Sequence, residues 1–218
     1  MESDHRCLVR GGWRVCHRRV AGRAGTRRGV APRRSPRSKQ NVFDDFHAAG
    51  EYLVRTQRTS TERLGIAGGS NGGLLVGAAL TQRPEAYRAV WCAVPLLDKV
   101  RFPQYLIARL WTDEYGDPDV AEEFAWLHAY SPYHHVDEGR AYPAVLFTTA
   151  EGDTRVDPLH ARKMAALLQW AAVGQDDRPV LFSQKGRAGH GAGMPVSKRA
   201  EEAADVLTFF AWQLGLAT

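Results

Sequence analysis

Three residues in this sequence have the types and the order needed for acyl transfer. Gly68-Gly69-Ser70-Asn71-Gly72 is a G-x-S-x-G sequence. Between a strand and a helix, such a sequence seats its serine on a sharp turn with the hydroxyl exposed. A serine hydroxyl is a weak nucleophile, so it needs a general base and a carboxylate that orients the base. With this elbow the chain order is serine, then Asp or Glu, then histidine. Asp153 lies in Ala150-Glu151-Gly152-Asp153-Thr154-Arg155-Val156, and His190 lies in Arg187-Ala188-Gly189-His190-Gly191-Ala192-Gly193. The Asn71 N–H, at the start of the helix, can donate to a developing oxyanion. Glu151 and Asp157 are rival carboxylates, and there are eight histidines to choose from. A glycine turn with an incidental serine is the plain alternative. A phosphate loop would need G-x-x-x-x-G-K-[ST] or G-x-G-x-x-G, and neither is present. His134, His135 and His160 lack comparable loop positions after a strand. No H-E-x-x-H occurs, so no metal and no cofactor are expected.

These residues need elements to position them. Leu64–Ala67 reads as a short apolar strand running into the serine turn, and 71–82 as the helix after it. Ala89–Val94 is the next strand, stopped by Pro95. Pro143–Thr149 is apolar without alternation, as expected for a parallel strand covered on both faces. Pro158–Ala172 reads as a helix with Leu159, Met164, Leu167 and Leu168 on one side, and Pro179–Ser183 as a further strand. Residues 42–56 and Lys198–Leu214 are amphipathic helices, the latter with Ala203, Val206, Leu207, Phe210, Trp212 and Leu214 on its apolar side. The aromatic-rich stretch 96–137 carries helical pieces at Arg101–Leu110 and Ala121–His128. Alternating strands and helices predict an α/β sheet with helices on its faces. Asp153 and His190 then fall on loops at strand C-termini, where sites form in open parallel sheets.

The charge distribution divides the chain. It has 218 residues and a net charge of +5. Residues 1–39 hold 11 Arg and one Lys against Glu2 and Asp4, a net of +10, which leaves −5 on residues 40–218. The basic part has too little apolar surface to offset its ordering entropy. Only Cys7-Leu8-Val9 and Trp13-Arg14-Val15 suit short strands there. It lacks interleaved aromatics and any recognisable nucleic-acid module, so residues 1–38 read as a disordered leader rather than a nucleic-acid arm. No apolar run reaches the roughly 18 residues of a membrane helix, and no secretory signal pattern is present. The three cysteines, Cys7, Cys16 and Cys92, form no disulfide framework. Cys92 sits in an apolar run and reads as a small buried hydrophobe. A reducing, cytoplasmic setting fits this usage best.

From Lys39-Gln40-Asn41-Val42-Phe43-Asp44-Asp45-Phe46 to the C-terminus the chain resembles the catalytic domain of the prolyl oligopeptidase family of serine peptidases. The motifs are Gly68–Gly73 with Leu74-Leu75, Trp111 with Tyr115-Gly116, Tyr130-Ser131-Pro132, Asp153–His160, and Ala188–Gly193. The resemblance implies an α/β-hydrolase fold, with Ser70 as nucleophile, Asp153 as orienting carboxylate, His190 as base and Asn71 as half of the oxyanion hole. It implies that Trp111 stacks on a proline ring, with Tyr115 and Val156 nearby, and that Arg155 binds a substrate carbonyl. A flat aromatic wall suits proline, whose ring offers apolar faces and little hydrogen bonding.

Two departures accompany the resemblance. Family members usually carry a β-propeller, and none is present. The first half of the hydrolase sheet, which normally supplies an oxyanion-hole tyrosine, is expected before Lys39, yet residues 1–38 contain no tyrosine. The expected architecture is therefore a partial α/β-hydrolase fold, a mainly parallel sheet with helices on both faces. Residues 1–38 would be a basic, disordered or non-native leader, and 39–218 the C-terminal portion of the catalytic domain. The first visible strand would have a bare edge. The expected function is cleavage of peptide bonds after proline through an acyl-enzyme, at reduced activity. An esterase, an acyl-peptide hydrolase and an inactive fragment are the alternatives. A peptide is the expected partner, with no membrane and no nucleic acid.

Overall fold

The computed structural model describes residues 6–10, 13–17, 39–186 and 196–216. Strands β1 (Arg6–Arg10) and β2 (Trp13–His17) pair as an antiparallel hairpin. After helix α1 (Gln40–Arg55), strands and helices alternate. The order is β3 (Gly65–Gly69), α2 (Asn71–Gln82), β4 (Ala89–Ala93), α3 (Thr112–Tyr115), α4 (Ala121–Tyr130), β5 (Ala144–Ala150), α5 (Leu159–Ala171), β6 (Val180–Lys185) and α6 (Val196–Gln213). Strands β3 to β6 form one four-stranded parallel sheet in the order β3-β4-β5-β6. This is the sheet the alternation predicted. β3 pairs with β4 alone among the described strands.

Side chains alternate across a strand, and here the two faces meet different partners. Val145 and Phe147 of β5 pack with Val76 and Leu80 of α2 and with Met164 and Leu168 of α5. Ala144 and Leu146 face the other way, onto Val206, Phe209 and Phe210 of α6. Every residue of β5 is buried, which explains its unalternating apolar sequence. Burying a residue such as Phe147 contributes about 1.5–3 kcal/mol. A third apolar group gathers Phe43, Leu74, Leu96, Phe102, Tyr115, Leu127, Tyr130 and Val156.

Two expectations are corrected. Arg101–Leu110 is not one helical piece: it holds 3-10 turns at Phe102–Gln104 and from Ala108 to Trp111. Pro103 has no N–H to donate, and Leu106 takes a positive φ of 50°, which interrupts any helical run. In α6 the buried residues are Ala211 and the row Val206, Phe209, Phe210 and Gln213, the i, i+3, i+4, i+7 set of one helix face. Leu207 and Trp212 lie off that face and are exposed. Among the described residues no helix is long and apolar enough to cross a membrane.

Candidate active site

The serine turn is built from two close approaches. A Cβ on Gly68 would lie 2.1 Å from the Gly72 carbonyl oxygen, and one on Gly73 would lie 2.8 Å from Pro95. Both are shorter than real Cβ contacts, so only glycine lets the first turn of α2 fold back against β3 and the end of β4. Gly72 meets nothing within 4 Å; its carbonyl is what Gly68 makes room for. Ser70 is forced to φ 56°, ψ −119°, a region an L-residue enters at a cost. Its N–H donates to the Ala93 carbonyl at 2.9 Å, and its own carbonyl accepts from Leu74 N–H at 3.1 Å. The turn is thus fastened to β4 on one side and starts the helix on the other. Val94, next to Ala93, also has a positive φ of 37°, although it is β-branched. The sequence reading placed Val94 in a regular strand.

Asp153 follows β5 on the same edge of the sheet. The register runs Gly69–Ala93–Thr148 across β3, β4 and β5, so Ser70 and the Asp153 loop leave from the same, C-terminal end of the parallel sheet. Asp153 is 4% exposed, and its Oδ1 accepts the N–H groups of Arg155 at 2.8 Å and Val156 at 2.9 Å. Of the rivals, Glu151 is exposed, and Asp157 Oδ1 accepts from Leu159 N–H at the start of α5. The buried, backbone-tied carboxylate is the one whose sequence position suited an orienting role. His190 lies outside the described residues; the segment carrying it follows β6, which pairs with β5 up to Ala150–Lys185. Asn71 is the first residue of α2, with its side chain exposed. Cys92 is buried, and burial pushes its thiol far above the ordinary range, so it behaves as a hydrophobe.

The expected pocket residues come together. Tyr115 and Val156 are buried in one apolar cluster, with half-buried Trp111 packed against it. The Arg155 guanidinium carbon sits 5.9 Å from the Trp111 ring centroid. Phe102 meets Tyr115 edge-on at 5.8 Å. Burial, then the neighbouring Glu114 carboxylate, holds the Tyr115 phenol above its usual range.

Sequence reasoning missed Lys99 here. It is fully buried, with Nζ 3.3 Å from the Tyr115 ring centroid and 3.8 Å from that of Phe102. Among the described residues Nζ has no hydrogen-bond partner. Burial, then the charge of Lys39, pulls its pKa well below the usual lysine range. The sequence carried only a weak signal, a lysine two positions after the apolar run Val94–Leu97.

The prolyl oligopeptidase family model matches residues 20–217. The chain belongs to the prolyl oligopeptidase family. The match begins inside the Arg-dense segment. Prolyl endopeptidase of Dictyostelium discoideum is 39% identical over 177 residues, covering 81% of this chain and 23% of that protein. A prolyl oligopeptidase of Omphalotus olearius is 41% identical over 180 residues, covering 82% and 24%. Among solved structures, one from a study of two prolyl endopeptidases is similar at TM-score 0.82 and 49% identity, over 86% of this chain and 28% of that one. Prolyl oligopeptidase B of Galerina marginata, bound to a 35mer hydrolysis and macrocyclization substrate, is similar at TM-score 0.80 and 34% identity, over 86% and 26%. This prolyl oligopeptidase family chain therefore spans about a quarter of the length of these relatives. The sheet and helices are those of the family's α/β-hydrolase catalytic domain.

Proposed function

We propose that this chain carries the acyl-transfer site of a serine peptidase that cleaves peptide bonds after proline. Ser70 Oγ attacks the scissile carbonyl and passes its proton to His190. Asp153 holds the imidazole in the productive tautomer and stabilises its charged form. The Asn71 N–H, at the positive end of α2, stabilises the oxyanion. His190 then protonates the leaving amine, an acyl-enzyme remains on Ser70, and water releases it by the reverse proton path. The wall of Trp111, Tyr115 and Val156 takes the proline ring, and Arg155 holds a substrate carbonyl. In this reading residues 39–218 are the C-terminal portion of the catalytic domain, 1–38 are a basic leader, and the setting is cytoplasmic.

One observation carries the reading: Ser70 is held in a strained turn on the sheet edge from which the buried Asp153 also projects. Cleavage after proline draws support from the family membership and from the aromatic pocket. The test is labelling with a fluorophosphonate, which needs only an activated serine. Wild type is expected to label and Ser70→Ala not to label. A folded wild type that stays unlabelled overturns the reading. Comparing a proline-containing peptide amide with p-nitrophenyl esters then separates a peptidase from an esterase.

A further inference from the structure

Asp98 lies in the segment between β4 and the pocket wall and is 1% exposed. An unpaired carboxylate at that depth is costly, and this one is surrounded by donors. Its Oδ1 accepts the N–H groups of Arg101 at 2.9 Å and Val100 at 3.2 Å. Its Oδ2 takes Lys163 Nζ of α5 at 2.5 Å and the Arg101 guanidinium at 3.3 Å. His134 Nε2 stands 3.9 Å from Oδ1.

The backbone beside it is tied as well. Asp98 N–H donates to His160 Nδ1 of α5 at 3.1 Å, and Lys99 N–H donates to Ser131 Oγ at 2.9 Å. Tyr105, further along the segment, meets the His160 ring edge-on at 5.2 Å. One carboxylate thus joins two parts of the chain: residues 99–115, which carry Trp111 and Tyr115, and α5, which follows directly on Arg155 and Val156.

We propose that Asp98 is a positioning residue for substrate selection, fixing the Trp111–Tyr115 side of the pocket against the Arg155–Val156 side. This role for Asp98 rests on the pocket assignment made under Proposed function. Asp98 touches no substrate in this account. It acts through Lys163 and the Arg101 amide, which set where the segment 99–115 begins. A charge-assisted bond at such depth is worth more than a surface pair, and removing its charge leaves Lys163 without its counter-ion.

The test separates selection from chemistry. Asp98→Asn keeps the size and one amide-accepting oxygen but loses the charge. Full-length wild type and variant are labelled with a fluorophosphonate while peptide aldehydes compete for Ser70, one ending in proline and one in alanine. The measured quantity is the ratio of aldehyde concentrations that halve the labelling. In the variant, the preference for the proline aldehyde is expected to fall by roughly tenfold, because small displacements of positioning groups cost this much or more. Uncompeted labelling is expected to fall less. Lys163→Met removes the other partner, should show the same loss of preference, and serves if Asp98→Asn does not fold. An unchanged preference in a folded, labelled variant overturns the proposal. So does a loss of uncompeted labelling as large as the loss of preference, which would mark a merely structural role. Wild type that fails to label at all sinks the proposed function instead, a distinct result.

Discussion

The strain at Ser70 has a measurable stability consequence. Replacing Ser70 by Gly removes the hydroxyl and relieves the backbone; replacing it by Ala removes the hydroxyl and keeps the strain. Ser70 makes no side-chain capping bond to α2, so neither variant loses a cap. A non-glycine residue at φ 56°, ψ −119° costs about 1–3 kcal/mol. Against this, glycine loses about 0.5–1 kcal/mol more chain entropy on folding than alanine. The difference leaves Ser70→Gly more stable than Ser70→Ala by about 1 kcal/mol. For a chain of this size that is roughly 2–4 °C in Tm. Calorimetry of the two purified variants, with urea unfolding as a second measure, reads the difference directly. Equal melting temperatures, or a lower one for the glycine variant, would refute the claim that the turn is strained.

Three further outcomes are expected. Lys99→Met replaces a buried amine that has no hydrogen-bond partner among the described residues by an apolar chain of similar length and should raise Tm at pH 7. The folded pKa of Lys99 is depressed, so wild-type stability falls as pH drops below the unfolded lysine value near 10.5; wild type should therefore gain on Lys99→Met between pH 7 and 9, and parallel curves would contradict this. His160 is pushed down to about 3, chiefly by burial and then by the charge of Lys99, from an unfolded value of 6.5. The unfolded chain binds that proton first, so stability is lost as pH falls from about 6.5 towards 3, and from pH 7 to 5 wild type should lose more Tm than His160→Gln. Trp111→Ala should raise KM for a proline-containing peptide roughly 30-fold, about 2 kcal/mol, as expected for an aromatic anchor that substrate covers; an equal rise for an alanine-containing peptide would remove Trp111 from proline recognition.

The sheet was legible because its signals are local. β5 is an unbroken apolar run, and the glycines at 68 and 73 mark where backbones must touch. The clustering of Trp111, Tyr115 and Val156, the proposed pocket residues, was signalled only by the family motifs, since nothing in their spacing brings them together. The misread stretch, Arg101–Leu110, is apolar enough for a helix, but Leu106 adopts a conformation set by its surroundings. Likewise, α6 has apolar residues around its circumference, so counting them did not fix which stripe is buried. Asp98 escaped notice because its partners are remote: Lys163 is 65 positions away, and one aspartate at the end of an apolar run carries no period.

The strand that leads into Ser70 is the outermost described strand of its sheet, joined to β4 alone. In a parallel ladder, successive residues direct their amides to alternate sides. About half of the β3 amides therefore point away from β4 and, among the described strands, can exchange with solvent deuterium without breaking a ladder, while β5, laddered on both sides, exchanges only when the sheet opens. The strained Ser70 thus directly follows a strand that is laddered on one side among the described strands. The β3–β4 ladder and the Ser70–Ala93 bond resist local opening near Ser70, and the core behind β5 can stay closed while they yield.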